Sequence, residues 1–290
     1  MRLAEAGIGD IFLVDIAKGL AQGKALDLED SRAALKNHYS IYGSEDIKDV
    51  KDSDVIVITA GFARKPGMTR EELATKNAQV IKEVSLAVKE TAPAAILIIV
   101  TNPLDLMTRL ALQVTGFSPK KVFGMGPTLD GARFANLIAQ ELQVPVTDID
   151  SFVIASHGEG MLPLPRFTTI KGAPLPKFLD PQKIEELVKR TILRGAEIVS
   201  LLGSGSAYFA PAAAIAELVR VIAKDEKRIL GLSAYLNGEY GLKDVCIGVP
   251  CRLGGNGIEN IIELDLNQEE KEILHKAAAS LKDQYSRINL

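Results

Sequence analysis

DSDVIVITAGFARKPGMTR, residues 52–70, runs an apolar strand into a basic loop. Val55–Ile58 has no polar position, and a strand apolar on both faces belongs in a covered parallel sheet. The strand leaves through Gly61, and Arg64 and Arg70 then flank Pro66 and Gly67. Open α/β sheets place their ligands at the carboxyl ends of such strands. A guanidinium matches a carboxylate with a two-pronged fork, so two arginines there point to a small anionic substrate. Taken alone, the loop reads equally well as a solvated segment carrying incidental charge.

The same alternation extends on both sides of this stretch. IFLVDI (residues 11–16), AILIIVTNP (95–103) and VFGMG (122–126) read as strands. Residues 19–35, 70–91 and 104–115 read as helices, the second with Val80, Val84, Ala87 and Val88 at helical spacing and the third closed by Gly116. Strands alternating with helices predict an α/β fold with a Rossmann-like parallel sheet. The pattern changes near Leu129. Longer helices are expected over residues 129–142, 181–202 and 210–225, with hairpin-like pieces at FVIASH, RFTTIKG, RILGLSAYL and VCIGVPCRL between them, and an amphipathic helix over 268–286 at the end. This second half reads as an α+β substrate domain, with the division placed between residues 1–127 and 128–290.

Composition narrows the classes. The 290 residues, 47% hydrophobic, supply a sizeable core for one large domain or two ordinary ones. The net charge is −3 with no run of basic residues, so no nucleic-acid partner is expected. No apolar run is long enough to span a bilayer, and the opening MRLAEAGIGD has no secretory apolar region. Cys246 and Cys251 are read as two free buried thiols, and sparse cysteine fits a reducing cytosol. No metal-ligand spacing is present.

Several polar residues stand where chemistry is done. Asp15 ends a strand, where a carboxylate holds the ribose hydroxyls of NAD and repels the phosphate of NADP; the alternative is a helix N-cap. Asn102 ends the strand in VTNPLD, placed to bond a substrate oxygen or the nicotinamide carboxamide, or simply to make an Asn-Pro turn. Asp130 and Arg133 in LDGARF share a helical face, either as a functional pair or as an intrahelical ion pair. His157 lies in a glycine-bounded loop after an apolar strand, and its ring titrates near neutral pH. A lone histidine is more often structural.

In this order DSDVIVITAGFARKPGMTR, VTNPLD, LDGARF and SHGEGMLPLPR, extended by GSAYFAPAAAIAE and SAYLNGEYG, resemble the lactate/malate dehydrogenase family over essentially the whole chain, on its malate side. The resemblance implies an NAD-dependent oxidoreductase of the tricarboxylic acid cycle that interconverts (S)-malate and oxaloacetate. His157 would exchange the substrate hydroxyl proton as hydride leaves C2, with Asp130 orienting its ring. Arg133 would grip the C1 carboxylate, Arg70 would polarise the C2 oxygen, and Arg64 would bind the second carboxylate. Asn102 would support substrate and nicotinamide, Asn77 would contact the cofactor, and Val100 and Thr101 would lie along the nicotinamide ribose. The Arg64 loop would close over substrate and exclude water.

Arg64 separates the branches, because a lactate-type site would leave its guanidinium facing a methyl group. Lactate dehydrogenase, an NAD-dependent glycosidase on a similar fold and an impaired remnant are the alternatives. Two departures stand out. The family's first strand and glycine-rich phosphate loop have no counterpart before Asp15, so the dinucleotide-binding domain reads as incomplete, through a truncation or a start-site error, and poor NAD binding is expected. MGPTLDG is unusual at Pro127 and Thr128. A homodimer or homotetramer is implied, with the alanine-rich helices over 133–142 and 211–222 reading as interface or core alike.

Overall fold

The computed structural model describes residues 1–36, 38–63, 68–203 and 205–288, apart from the side chain of Arg70. A short helix α1 (Arg2–Glu5) precedes strand β1 (Ile11–Val14). Helices α2 (Leu20–Asp30) and α3 (Arg32–Leu35) carry the chain to β2 (Ile41–Ser44), which pairs in parallel with β1. The single helix expected over 19–35 is interrupted at Ser31, whose hydroxyl donates back to the Leu28 carbonyl at 2.7 Å. A serine side chain that bonds its own backbone competes with the helical ladder.

Strand β3 (Val55–Ile58) leads to the long helix α4 (Arg70–Thr91), then β4 (Ile96–Ile99), α5 (Leu104–Thr115) and β5 (Val122–Gly124). Thr69 opens α4 in a capping box with Glu72. β3, β4 and β5 pair in parallel, and every residue of β4 is buried. This is the buried parallel sheet that the apolar runs predicted. The strand ends fall short of the apolar runs, because Val100 to Pro103 turn out of the sheet.

Helix α6 (Gly126–Leu142) starts three residues earlier than its apolar pattern suggested. Pro127 sits in its first turn, where a missing N–H costs nothing and a fixed φ helps. Thr128 donates its hydroxyl to the Gly231 carbonyl at 2.7 Å. The two unusual residues therefore lie inside the first turn of the helix. Short strands β6 (Ile149–Asp150), β7 (Val153–Ala155), β8 (Met161–Pro163), β9 (Thr169–Ile170) and β10 (Ala173–Pro174) follow. Then come α7 (Pro181–Leu202), α8 (Phe209–Ala223), the long strands β11 (Arg228–Asn237) and β12 (Lys243–Gly254), β13 (Gly257–Ile261) and α9 (Gln268–Ser286).

One sheet spans both halves, in the order β3-β4-β5-β11-β12-β7-β8, with β13 on β12. The join is antiparallel: Ser233 of β11 faces Gly124 of β5, and Ala155 of β7 faces Gly248 of β12. Among the described residues, β1 and β2 pair only with each other. The apolar faces of α6 and α8 point inward, with Phe134, Leu137, Ile138, Leu218 and Val221 buried. These residues help fill the core. The sheet thus carries the carboxyl end of β4, the start of α6 and the turn after β7 toward one another.

Candidate active site

The site forms where β4, β5 and β7 end. The chain turns from β5 directly into α6, and Asp130 projects from its second turn with 1% exposure. Burying a carboxylate is costly unless cations meet it. Its Oδ2 lies 2.6 Å from Nδ1 of His157, and its Oδ1 accepts from the Arg133 guanidinium at 3.3 Å. The sequence left open whether Asp130 and Arg133 were a functional or a merely local pair. They are an intrahelical pair whose second carboxylate oxygen reaches the imidazole.

His157 follows β7 in a turn held from behind. Its backbone N–H donates to Oδ2 of Asp105 at 2.9 Å. Its ring lies against the first residue of α6: a β-carbon at Gly126 would stand 2.6 Å from the ring Cγ. Only glycine permits that approach. Burial alone would draw the imidazole pKa down, but the charge and hydrogen bond of Asp130, with the Asp105 charge behind, carry it above its ordinary value. With Nδ1 committed to Asp130, Nε2 is the atom left for a proton to and from a ligand. The Nε of Arg133 is buried and has no partner among the described residues. The guanidinium charge suits an anionic ligand.

The ends of β3 and β4 form the other wall. Asn77 of α4 is fully buried. Its Oδ1 accepts from the Phe62 N–H at 2.7 Å, and its Nδ2 donates to the carbonyls of Phe62 and Asn102 at 3.2 and 2.6 Å. The amide that resemblance aimed at a cofactor is thus spent tying two strand-end loops together. Thr101 donates its hydroxyl to Ala60 O at 2.7 Å, and the Val100 N–H donates to Ile58 O at 3.0 Å. Gly61 has φ +149°, and a β-carbon there would press to 2.7 Å on Thr101 Cγ2. Asn102 is exposed just past β4, joined to Pro103 by a cis peptide bond. Asp15 is half-buried just past β1, and its Oδ1 accepts from the Ala17 N–H at 2.9 Å in a local turn. Arg64 lies outside the described residues, and Arg70 is described only as the first residue of α4.

The structure therefore brings together Asp130, Arg133 and His157 at one wall, with Asn77, Thr101 and Asn102 at the other. Sequence reasoning missed Asp105, Ser156, Ser233 and Gly126. Asp105 stood in plain view in VTNPLD, but nothing local distinguishes a carboxylate in a helix's first turn from one that reaches across the fold. Among the described residues, no group of three or more His, Cys, Asp or Glu side chains is arranged to hold a metal. Cys246 and Cys251 are free and buried.

A parallel sheet whose carboxyl edge carries a buried aspartate joined to a histidine and an arginine is the arrangement of a two-part dehydrogenase. Residues 1–124 match the model of the lactate/malate dehydrogenase NAD-binding domain, and residues 127–289 that of the lactate/malate dehydrogenase α/β C-terminal domain. The chain belongs to the lactate/malate dehydrogenase family. It is 48% identical over 289 residues to a malate dehydrogenase of Methanosarcina acetivorans, covering 100% of this chain and 94% of that relative. The malate dehydrogenase structure from Salinibacter ruber superposes with a TM-score of 0.93 at 41% identity, covering 98% of this chain and 91% of that one. The lactate dehydrogenase of Cryptosporidium parvum, solved with lactic acid and nicotinamide adenine dinucleotide, gives a TM-score of 0.95 at 35% identity, covering 99% and 92%.

Proposed function

We propose that the chain is an NAD-dependent malate dehydrogenase, interconverting (S)-malate and oxaloacetate. The observation that carries this reading is the buried Asp130 carboxylate, which reaches His157 Nδ1 at 2.6 Å while binding Arg133 at 3.3 Å. The pairing supports a proton-exchanging role for the imidazole and a carboxylate-gripping role for the guanidinium.

The residues present suit the nicotinamide end of the cofactor. The strand-end loops at Gly61 and Asn102 are pinned by Asn77, the main chain from Val100 to Asn102 lines the edge, and the amide of Asn102 is exposed there. Asp15, at the end of β1, would take the adenosine ribose hydroxyls. The nicotinamide, when bound, supplies the hydride acceptor. The protein's part in malate oxidation is to remove the C2 hydroxyl proton to His157 Nε2. Asp130 holds the ring through Nδ1 and stabilises its cationic form. Arg133 would hold the C1 carboxylate and fix the distance between hydroxyl and imidazole. Arg70 would polarise the C2 oxygen, and Arg64 would meet the second carboxylate.

Oxaloacetate and pyruvate, each assayed with NADH by loss of nicotinamide absorbance, test the substrate. Oxaloacetate is expected to be preferred. Arg64→Gln should shift kcat/KM toward pyruvate by at least about tenfold, since a lost charge-assisted pair is worth about 1.5–3 kcal/mol. An unchanged ratio removes Arg64 from the specificity role. We further propose a cytoplasmic setting, consistent with two free thiols, and a homodimer or homotetramer.

A further inference from the structure

Asp105 has no place in the chemistry above, yet it is the most heavily engaged carboxylate of the site. It stands in the first turn of α5, 3% exposed. Its Oδ2 accepts the His157 N–H at 2.9 Å and the Ser156 hydroxyl at 3.1 Å. Its Oδ1 accepts the Ser233 hydroxyl from β11 at 2.6 Å. Three elements distant in sequence thus meet on one buried side chain. The turn it holds needs holding: Ala155, immediately before it, has φ +69°, a left-handed conformation disfavoured for a residue with a β-carbon.

We propose that Asp105 is a positioning residue for His157: it anchors the Ser156–His157 turn to α5 and β11, and sets a second negative charge behind the imidazole. This rests on His157 being the proton-exchanging group. Asp130 orients the ring from its Nδ1 side, while Asp105 fixes the backbone from which the ring projects. Without that anchor the Asp130 contact would have to hold both ring and turn. The two carboxylates divide the work, and α5 and α6 each contribute one.

Among the described residues, the charged groups that face the imidazole are Asp130 and Arg133 from α6 and Asp105 from α5. Cys246 of β12 faces Asp105, and burial pushes its thiol up, so it stays neutral. Ser233 is the contribution of β11. Burial raises the Asp105 carboxyl above its ordinary range, and the Ser233, His157 and Ser156 donors oppose that rise. All three donors spend their hydrogens on its oxygens, which suits the ionised form.

Asp105→Asn and Asp105→Ala separate charge from anchoring. An asparagine can keep its oxygen toward the His157 N–H and turn its amide toward the Ser233 hydroxyl, so the fold should survive. Histidine-ring NMR reads the His157 pKa without relying on turnover, with His157→Asn assigning its signal among the three histidines. In Asp105→Asn the His157 pKa should fall by about 0.5–1 unit, and the inflection of kcat/KM against pH should fall with it. In Asp105→Ala, kcat should drop at least about tenfold while KM for oxaloacetate stays within about threefold, as expected when the base is misplaced and the substrate grip is not. A His157 pKa and pH profile unchanged in Asp105→Asn overturns the proposal, whether or not the alanine variant folds. If the wild-type chain turns over neither acid, the dehydrogenase reading fails; the NMR shift still decides whether Asp105 acts on His157.

Discussion

At the scale of the residue, the proposed chemistry rests on His157. An imidazole raised by a buried carboxylate holds its proton to higher pH than a free one. Oxaloacetate reduction needs that proton, so its kcat/KM should fall as pH rises through the His157 pKa. Malate oxidation needs the neutral ring, so its kcat/KM should rise over the same interval. Both inflections belong above the ordinary histidine range, which paired pH profiles in the two directions would show. Removing the raising partner should bring them down: Asp130→Asn is expected to lower the inflection and reduce kcat about 100-fold or more, the scale of lost acid–base assistance. The same linkage bears on stability. Because the folded-state pKa lies above the unfolded one, the protonated ring stabilises the fold below the unfolded pKa, and that contribution is lost as pH rises through the folded value. Asp130, Arg133 and His157 were legible because LDGARF and SHGEGMLPLPR resemble motifs of the lactate/malate dehydrogenase family; residue type and spacing alone left structural readings open. Asp105 was not, since its three partners lie 51, 52 and 128 residues away.

At the scale of the element, α6 does two jobs. Its first residue makes room for the imidazole, and its second turn supplies Asp130 and Arg133. Gly126→Ala would drive a β-carbon to 2.6 Å from the His157 ring. The expected result is a stability loss of about 1–3 kcal/mol from overpacking, with a larger fractional loss in kcat than in KM. Thermal melts and steady-state kinetics read the two effects separately. The other side of α6 packs on α7, where Leu187 is fully buried with Phe134 and Ile138. Leu187→Ala should cost about 2–5 kcal/mol, visible as a lowered denaturation midpoint with an unchanged His157 pKa. Elements were read well where their signals were local. The final helix spans Gln268–Ser286, as its amphipathic pattern suggested, and an Asn267 capping box marks its start. Boundaries went astray where a single side chain decided them: Ser31 interrupting one helix, Pro127 opening another early.

At the scale of the molecule, apolar surface is unevenly spread. Leu201, near the end of α7, is 81% exposed, and Phe209, at the start of α8 against the Tyr208 ring, is 73% exposed. Patches of this kind commonly mark sites of association. Size-exclusion chromatography with light scattering is expected to give a mass of two or four chains. Charging the junction with Phe209→Glu should shift the mass toward the monomer if this surface is buried between copies.

By itself, the order of apolar strands and helices determined a parallel-sheet α/β fold, and short motifs at their boundaries, by resemblance to the lactate/malate dehydrogenase family, named the imidazole, carboxylate and guanidinium of its site. Those are local properties: the period of burial along an element and the chemistry exposed at its end. Only the tertiary structure decided which partners each group meets. It placed Asp105 behind His157, spent the Asn77 amide on two loops, and set Gly126 under the ring. Such contacts join segments far apart in the chain, and hydrogen-bond geometry across them exists only once the sheet has closed from β5 onto β11.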